Sequence, residues 1–135
     1  MGIEGKKALI VDDTADVRET IKVLLEAHDM ATVAAEDGVQ GLEKAGSENP
    51  DVIVLDVQMP NKDGFETFTE LRKNDATKSI PVIMLTGVGE RLGIGFSARE
   101  MKEFLGSEPD AYLEKPIDPE EIVRTVCRVL GEDAP

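Results

Sequence analysis

Three unbroken runs of four apolar residues, Ala8 to Val11, Val52 to Leu55 and Val82 to Leu85, recur along the chain with segments of helical period between them. Runs of this length are too short for helices, and their lack of polar alternation marks strands buried on both faces. Ala111-Tyr112-Leu113 and a weaker stretch from Met30 to Ala35 bring the expected strands to five. From Ala15 the period turns helical, with Val17, Ile21, Leu24 and Leu25 on one face and Arg18, Glu19, Lys22 and Glu26 outside, up to His28 and Asp29. Further helices are expected over about 39–47, weakened by Gly41 and Gly46, over about 65–74 and over about 97–105. A last helix opens at Asp118 as cap, with Pro119 in the first turn and Glu121 three residues after the cap. Five strands alternating with five helices predict a doubly wound parallel sheet covered on both faces, and the flavodoxin-like form of such a sheet has the order 2-1-3-4-5.

What ends the strands is chemically unusual. The first expected strand runs into Asp12-Asp13, the third into Asp56, the fourth into Thr86 and the fifth into Lys115. A carboxylate after four buried residues does not serve the core, because an unpaired buried charge costs more than its packing returns. In a sheet of this type ligands sit beyond the carboxyl ends of the strands, where the strand order reverses. If strands 1 and 3 are neighbours, Asp12, Asp13 and Asp56 converge, with Thr86 and Lys115 arriving from strands 4 and 5. Converging carboxylates raise one another's pKa unless a cation intervenes, and oxygen-only ligands suit a hard ion such as Mg²⁺. Beside such an ion, a lysine and a hydroxyl stabilise phosphoryl charge while a carboxylate oxygen attacks. Taken singly the residues have plainer readings: Asp13 as the cap of the first helix, Thr86 and Tyr112 as ordinary strand residues, Lys115 as a solvated cation. The ordered set is what points to chemistry.

Charge narrows the partners. With 28 acidic against 15 basic side chains the net charge is -13, which disfavours binding to nucleic acid or an anionic membrane surface. No apolar stretch approaches the length of a membrane span, and the N-terminus lacks the apolar region of a secretory signal. The one cysteine, Cys127, forms no internal disulfide and fits a reducing compartment, with a plain role as a buried helix residue. The expectation is a cytoplasmic protein.

Five stretches taken together resemble the receiver domain of two-component response regulators. They are Ala8-Leu-Ile-Val-Asp-Asp13, Asp51-Val-Ile-Val-Leu-Asp56, Met59-Pro60 with Asp63-Gly64, Pro81-Val-Ile-Met-Leu-Thr86, and Asp110-Ala-Tyr-Leu-Glu-Lys-Pro116. The resemblance implies that Asp56 accepts a phosphoryl group from a histidine of a sensor kinase or phosphotransfer protein in a phosphorelay. It implies that Asp12 (through water), Asp13, Asp56 and the Gln58 backbone carbonyl hold Mg²⁺. Thr86 and Tyr112 match the family's switch pair, and Lys115 its phosphate-contacting lysine, followed by a cis proline. The expected organisation is a single receiver domain over 1–135, core about 6–131, with no output domain, signalling through a downstream protein target. Such a chain is no enzyme in the ordinary sense, but a switch that assists its own phosphorylation and dephosphorylation. The segment from Thr86 to Lys115 is longer than usual in the family, with four glycines between Gly87 and Gly95.

Two competitors come from other classes. Asp12-Asp13-Thr14 more weakly resembles the nucleophile motif of haloacid-dehalogenase-like phosphatases, which would make Asp12 the modified residue. The other is a phosphorylation-independent docking module. His28, a lone histidine near a helix end, reads as structural or solvated rather than as a phosphotransfer site.

Overall fold

The apolar runs are strands because helices cover both faces of one sheet. A computed structural model describes residues 3–57, 64–86 and 109–131. The strands are β1 (Lys7–Val11), β2 (Ala31–Ala35), β3 (Val52–Asp56), β4 (Val82–Thr86) and β5 (Ala111–Glu114). The helices among the described residues are α1 (Ala15–Glu26), α2 (Gly38–Glu48), α3 (Gly64–Lys73) and α4 (Pro119–Val129). All strand pairings are parallel, in the order β2-β1-β3-β4-β5. This is the expected flavodoxin-like sheet, and its order reverses between β1 and β3. Gln58, the glycine-rich loop 87–95 and the helix expected over 97–105 lie outside the described residues.

The pleat divides the core in two. Ile10, Val54 and Leu85 face one side and pack with Ile21 and Leu25 of α1 and Ile122 and Val126 of α4. Leu9, Leu55 and Met84 face the other and pack with Ala45 of α2 and Phe68 and Leu71 of α3. Gly41, expected only to weaken α2, has a positive packing reason. A Cβ there would lie 3.0 Å from both methyl groups of Val11, so its absence lets α2 settle close on β1.

Two aspartates set the register at the far end of the sheet from the strand-end carboxylates. The Lys7 N–H donates to Asp51 Oδ2 at 2.8 Å while the Asp51 N–H donates to the Lys7 carbonyl at 2.7 Å. The same reciprocal pair joins Val82 to Asp110, each bond 2.9 Å. Arg72 of α3 reinforces the second pair, its NH2 3.1 Å from Asp110 Oδ2 and its guanidinium stacked 4.7 Å from the Phe68 ring. A one-residue slip would send every side chain of a strand to the wrong face, so these pairs also fix which residues emerge together at the other end.

The helix ends follow local rules. Asp118 caps α4 by accepting from the Glu120 and Glu121 N–H groups, and Asp37 caps α2 by accepting from Gln40. Asn49 ends α2 in the left-handed region at φ 50°, just before Pro50. Asp13 does not cap α1: the N-cap is Thr14, and its N–H is bound at 2.8 Å by Asp12 Oδ1. Cys127 is buried on α4. No described helix is long and apolar enough to cross a membrane.

Candidate functional site

The parity of the pleat decides what meets at the carboxyl edge. Asp12 continues the alternation of Ala8 and Ile10, Asp56 that of Val52 and Val54, and Lys115 that of Ala111 and Leu113. All three therefore leave the sheet on the α1/α4 side. Lys115 Nζ lies 3.1 Å from Asp12 Oδ2 and 3.2 Å from Asp56 Oδ1, bridging two carboxylates that are 0% and 3% exposed as residues. Asp13 is exposed, and one oxygen from each of Asp12, Asp13 and Asp56 falls within 4.8 Å of the others. Beyond its ion pair with Lys115, Asp12 Oδ2 accepts no hydrogen bond among the described residues. A buried carboxylate oxygen in that condition, in an all-oxygen cluster, fits a hard divalent cation.

Thr86 and Tyr112 sit on the opposite parity. Met84 pairs with Tyr112 in register, and Thr86 follows Met84 by two residues, so both side chains belong to the α2/α3 face. Thr86 is buried, and its carbonyl accepts from the Lys115 N–H at 2.7 Å. The strand end bearing the hydroxyl is thus tied directly to the residue bearing the ammonium. The Lys115–Pro116 peptide is cis.

The electrostatics follow from burial. Asp56 is pushed up from an ordinary 3.8 to about 6, first by burial and then by the neighbouring Asp12 charge, with Lys115 pulling the other way. At neutral pH it is still ionised. Burial pulls Lys115 down, but the Asp56 and Asp12 charges more than offset this and leave its pKa raised.

Two contributors were hidden in the sequence. Arg18, expected on the outer face of α1, is half-buried and turns back so that NH1 donates to the Asp12 carbonyl at 2.7 Å. The available signal was a cation in the opening turns of a helix, where the dipole disfavours it. Gly64, readable only as turn chemistry, packs against the Asp56–Val57 peptide, and its N–H donates to the Val57 carbonyl at 2.8 Å. A Cβ there would lie 2.8 Å from Val57 Cα and well inside contact with the Asp56 carbonyl. Gly64→Ala is therefore expected to displace that peptide at a cost of about 1–3 kcal/mol, seen as a Tm lowered by several degrees. An unchanged Tm would show that the segment yields without strain.

Known proteins resemble this chain in sequence and in fold. A family model for the response regulator receiver domain matches residues 8–127. The chain is 32% identical to protein PilG of Pseudomonas aeruginosa over 123 residues, covering 91% of this chain and 86% of that protein. It is 36% identical to the phosphate regulon transcriptional regulatory protein PhoB of the same organism over 133 residues, 97% of this chain. The match covers 54% of PhoB, so the chain spans about half the length of that regulator. Among solved structures, the receiver domain of the sensor histidine kinase PA1611 of Pseudomonas aeruginosa has magnesium coordinated in its active-site cleft. It superposes with a TM-score of 0.79 at 25% identity, covering 95% of this chain and 99% of that one. With the sheet order, the edge-on cluster of acids and the family match over most of its length in agreement, the chain belongs to the response regulator receiver domain family.

Proposed function

We propose that this chain is a receiver that accepts a phosphoryl group on Asp56 from a histidine of a sensor kinase or phosphotransfer protein, in the presence of Mg²⁺. It would pass the signal to a protein target in the cytoplasm. The observation carrying the proposal is the position of Asp56: last residue of the central strand, one oxygen held by Lys115, and within metal-sharing distance of Asp12 and Asp13. Asp12, Asp13 and Asp56 would hold the ion, together with the Gln58 carbonyl. When bound, Mg²⁺ supplies neutralising charge between the carboxylates and the incoming phosphoryl oxygens.

The remaining work falls to side chains. An ionised Asp56 oxygen attacks phosphorus in line, an O–P bond forms, the N–P bond of the donor breaks, and the imidazole leaves with the electron pair and takes up a proton. Lys115, already between two carboxylates, exchanges part of that pairing for a phosphoryl oxygen as negative charge accumulates on Asp56. Thr86 would donate its hydroxyl to another phosphoryl oxygen. Because Thr86 and Tyr112 share the opposite face of the sheet, movement of one repacks the surroundings of the other. That is a route from the phosphoryl group to a partner-binding face. The net charge of -13 favours a protein target over nucleic acid or membrane.

The phosphatase alternative would make Asp12 the nucleophile. Asp12 has Oδ1 occupied by the Thr14 N–H and Oδ2 against Lys115, and the family match is to receivers. The expected result with a small acyl-phosphate donor and Mg²⁺ is a mass gain of one phosphoryl group, mapped to Asp56 and absent in Asp56→Asn. Modification at Asp12 would favour the phosphatase. No gain in the wild type would reduce the chain to a docking module.

A further inference from the structure

We infer that Arg18 is a positioning residue for the acid pair: by holding the Asp12 carbonyl it fixes the direction in which Asp13 presents its carboxylate to a divalent ion. The inference deepens the proposed function and rests on it.

The β1–β2 ladder ends with the Asp12 N–H donating to the Ala35 carbonyl at 3.2 Å. In a parallel ladder the N–H and carbonyl of one residue point to the same neighbour, so the Asp12 carbonyl also points past the end of β2. The next donor in that ladder would be the Asp37 N–H, but β2 has ended at Ala35 and Asp37 caps α2. Arg18 NH1 takes the vacant donor position, at 2.7 Å. Its charge shortens and strengthens the bond.

The other restraints on Asp12 act elsewhere. The Thr14 N–H and Lys115 hold its carboxylate, and Ala35 holds its N–H. The bond from Arg18 acts on the peptide joining Asp12 to Asp13. Asp13 is exposed, so its direction is inherited from that peptide. A guanidinium in the opening turns of α1 opposes the helix dipole, and a cation beside a cation site repels the ion; neither effect favours arginine here. The bond to Asp12 does. Groups that orient a metal's ligands typically change its affinity by about 10–100-fold when removed.

The two effects have opposite signs, which makes the inference testable without turnover. Mg²⁺ binding to the unphosphorylated full chain is measured by calorimetry at neutral pH and physiological ionic strength. Arg18→Met, or Arg18→Gln should the former not fold, is expected to bind about tenfold more weakly at a nearly unchanged Tm. Arg18→Lys, which restores a charged donor, should recover most of the loss. In an Asp13→Asn background, where the oriented ligand is already impaired, removing Arg18 should cost little more. Equal or tighter binding in the neutral variant would overturn the inference, as would full additivity with Asp13→Asn. Absence of Mg²⁺ binding in the wild type would instead overturn the phosphoryl-acceptor proposal on which it rests.

Discussion

Asp56→Asn is expected to make the metal-free protein more stable at pH 7.5, by about 2 kcal/mol, while abolishing the phosphoryl uptake proposed for it. The sign follows from linkage. The folded-state pKa of Asp56 is raised from 3.8 to about 6, so the folded protein binds its proton more tightly than the unfolded chain does. The corresponding stability is fully present below about pH 4 and is lost as pH rises through about 6. The rise corresponds to about 3 kcal/mol; the expected gain is smaller because in the variant Lys115 keeps only one of its two carboxylates. Urea unfolding of wild type and variant at pH 4.5, 6 and 7.5 isolates this group, since every other titration is shared. The curves should approach one another toward pH 4, separate between about pH 4 and 6, and run nearly parallel above that. Saturating Mg²⁺ should narrow the gap at pH 7.5, because the ion binds the native wild type more tightly than the variant. A wild type more stable than Asp56→Asn at pH 7.5 without metal would show that Lys115 already neutralises the site.

Lys115→Met is the opposite case. Removing the ammonium leaves the Asp12 and Asp56 carboxylates buried together with nothing between them. Breaking a buried pair costs about 3–5 kcal/mol, and the lower end applies here because Lys115 is itself partly exposed. The loss should be largest near pH 7.5. It should shrink toward pH 5, where Asp56 protonates, and shrink again in saturating Mg²⁺. Phosphoryl uptake should slow even where the fold is restored by metal, because the contact proposed between the lysine and the transferred group would be gone. An equal stability loss at pH 5 and pH 7.5, untouched by Mg²⁺, would place the role of Lys115 in packing alone. Methionine is chosen because it keeps the length and apolar character of the lysine stem.

Much of the site could be read before any coordinate. Asp56 stands out because four residues that must be buried precede it, and Asp118 announces a helix start by cap chemistry that acts within three residues. The chemically important exceptions act over longer distances. Gly64 is a turn glycine in the sequence and a close-packing glycine in the fold. Gly41 reads as a weakness of α2 and turns out to be the point where α2 meets Val11. Arg18 reads as an outward-facing charge, and only the end of the neighbouring strand at Ala35 explains why it turns inward.

The sequence by itself determined the alternation of elements, the parallel sheet and the identity of the residue closing each strand. These depend on periodicity and burial, which act within a few positions of the chain. The tertiary structure decided which of those residues share a side of the pleat and approach to about 3 Å. Register is set by contacts between distant segments, here the reciprocal bonds of Asp51 with Lys7 and of Asp110 with Val82. Shifting either strand by one residue would leave every local signal intact and separate Lys115 from the carboxylates it bridges.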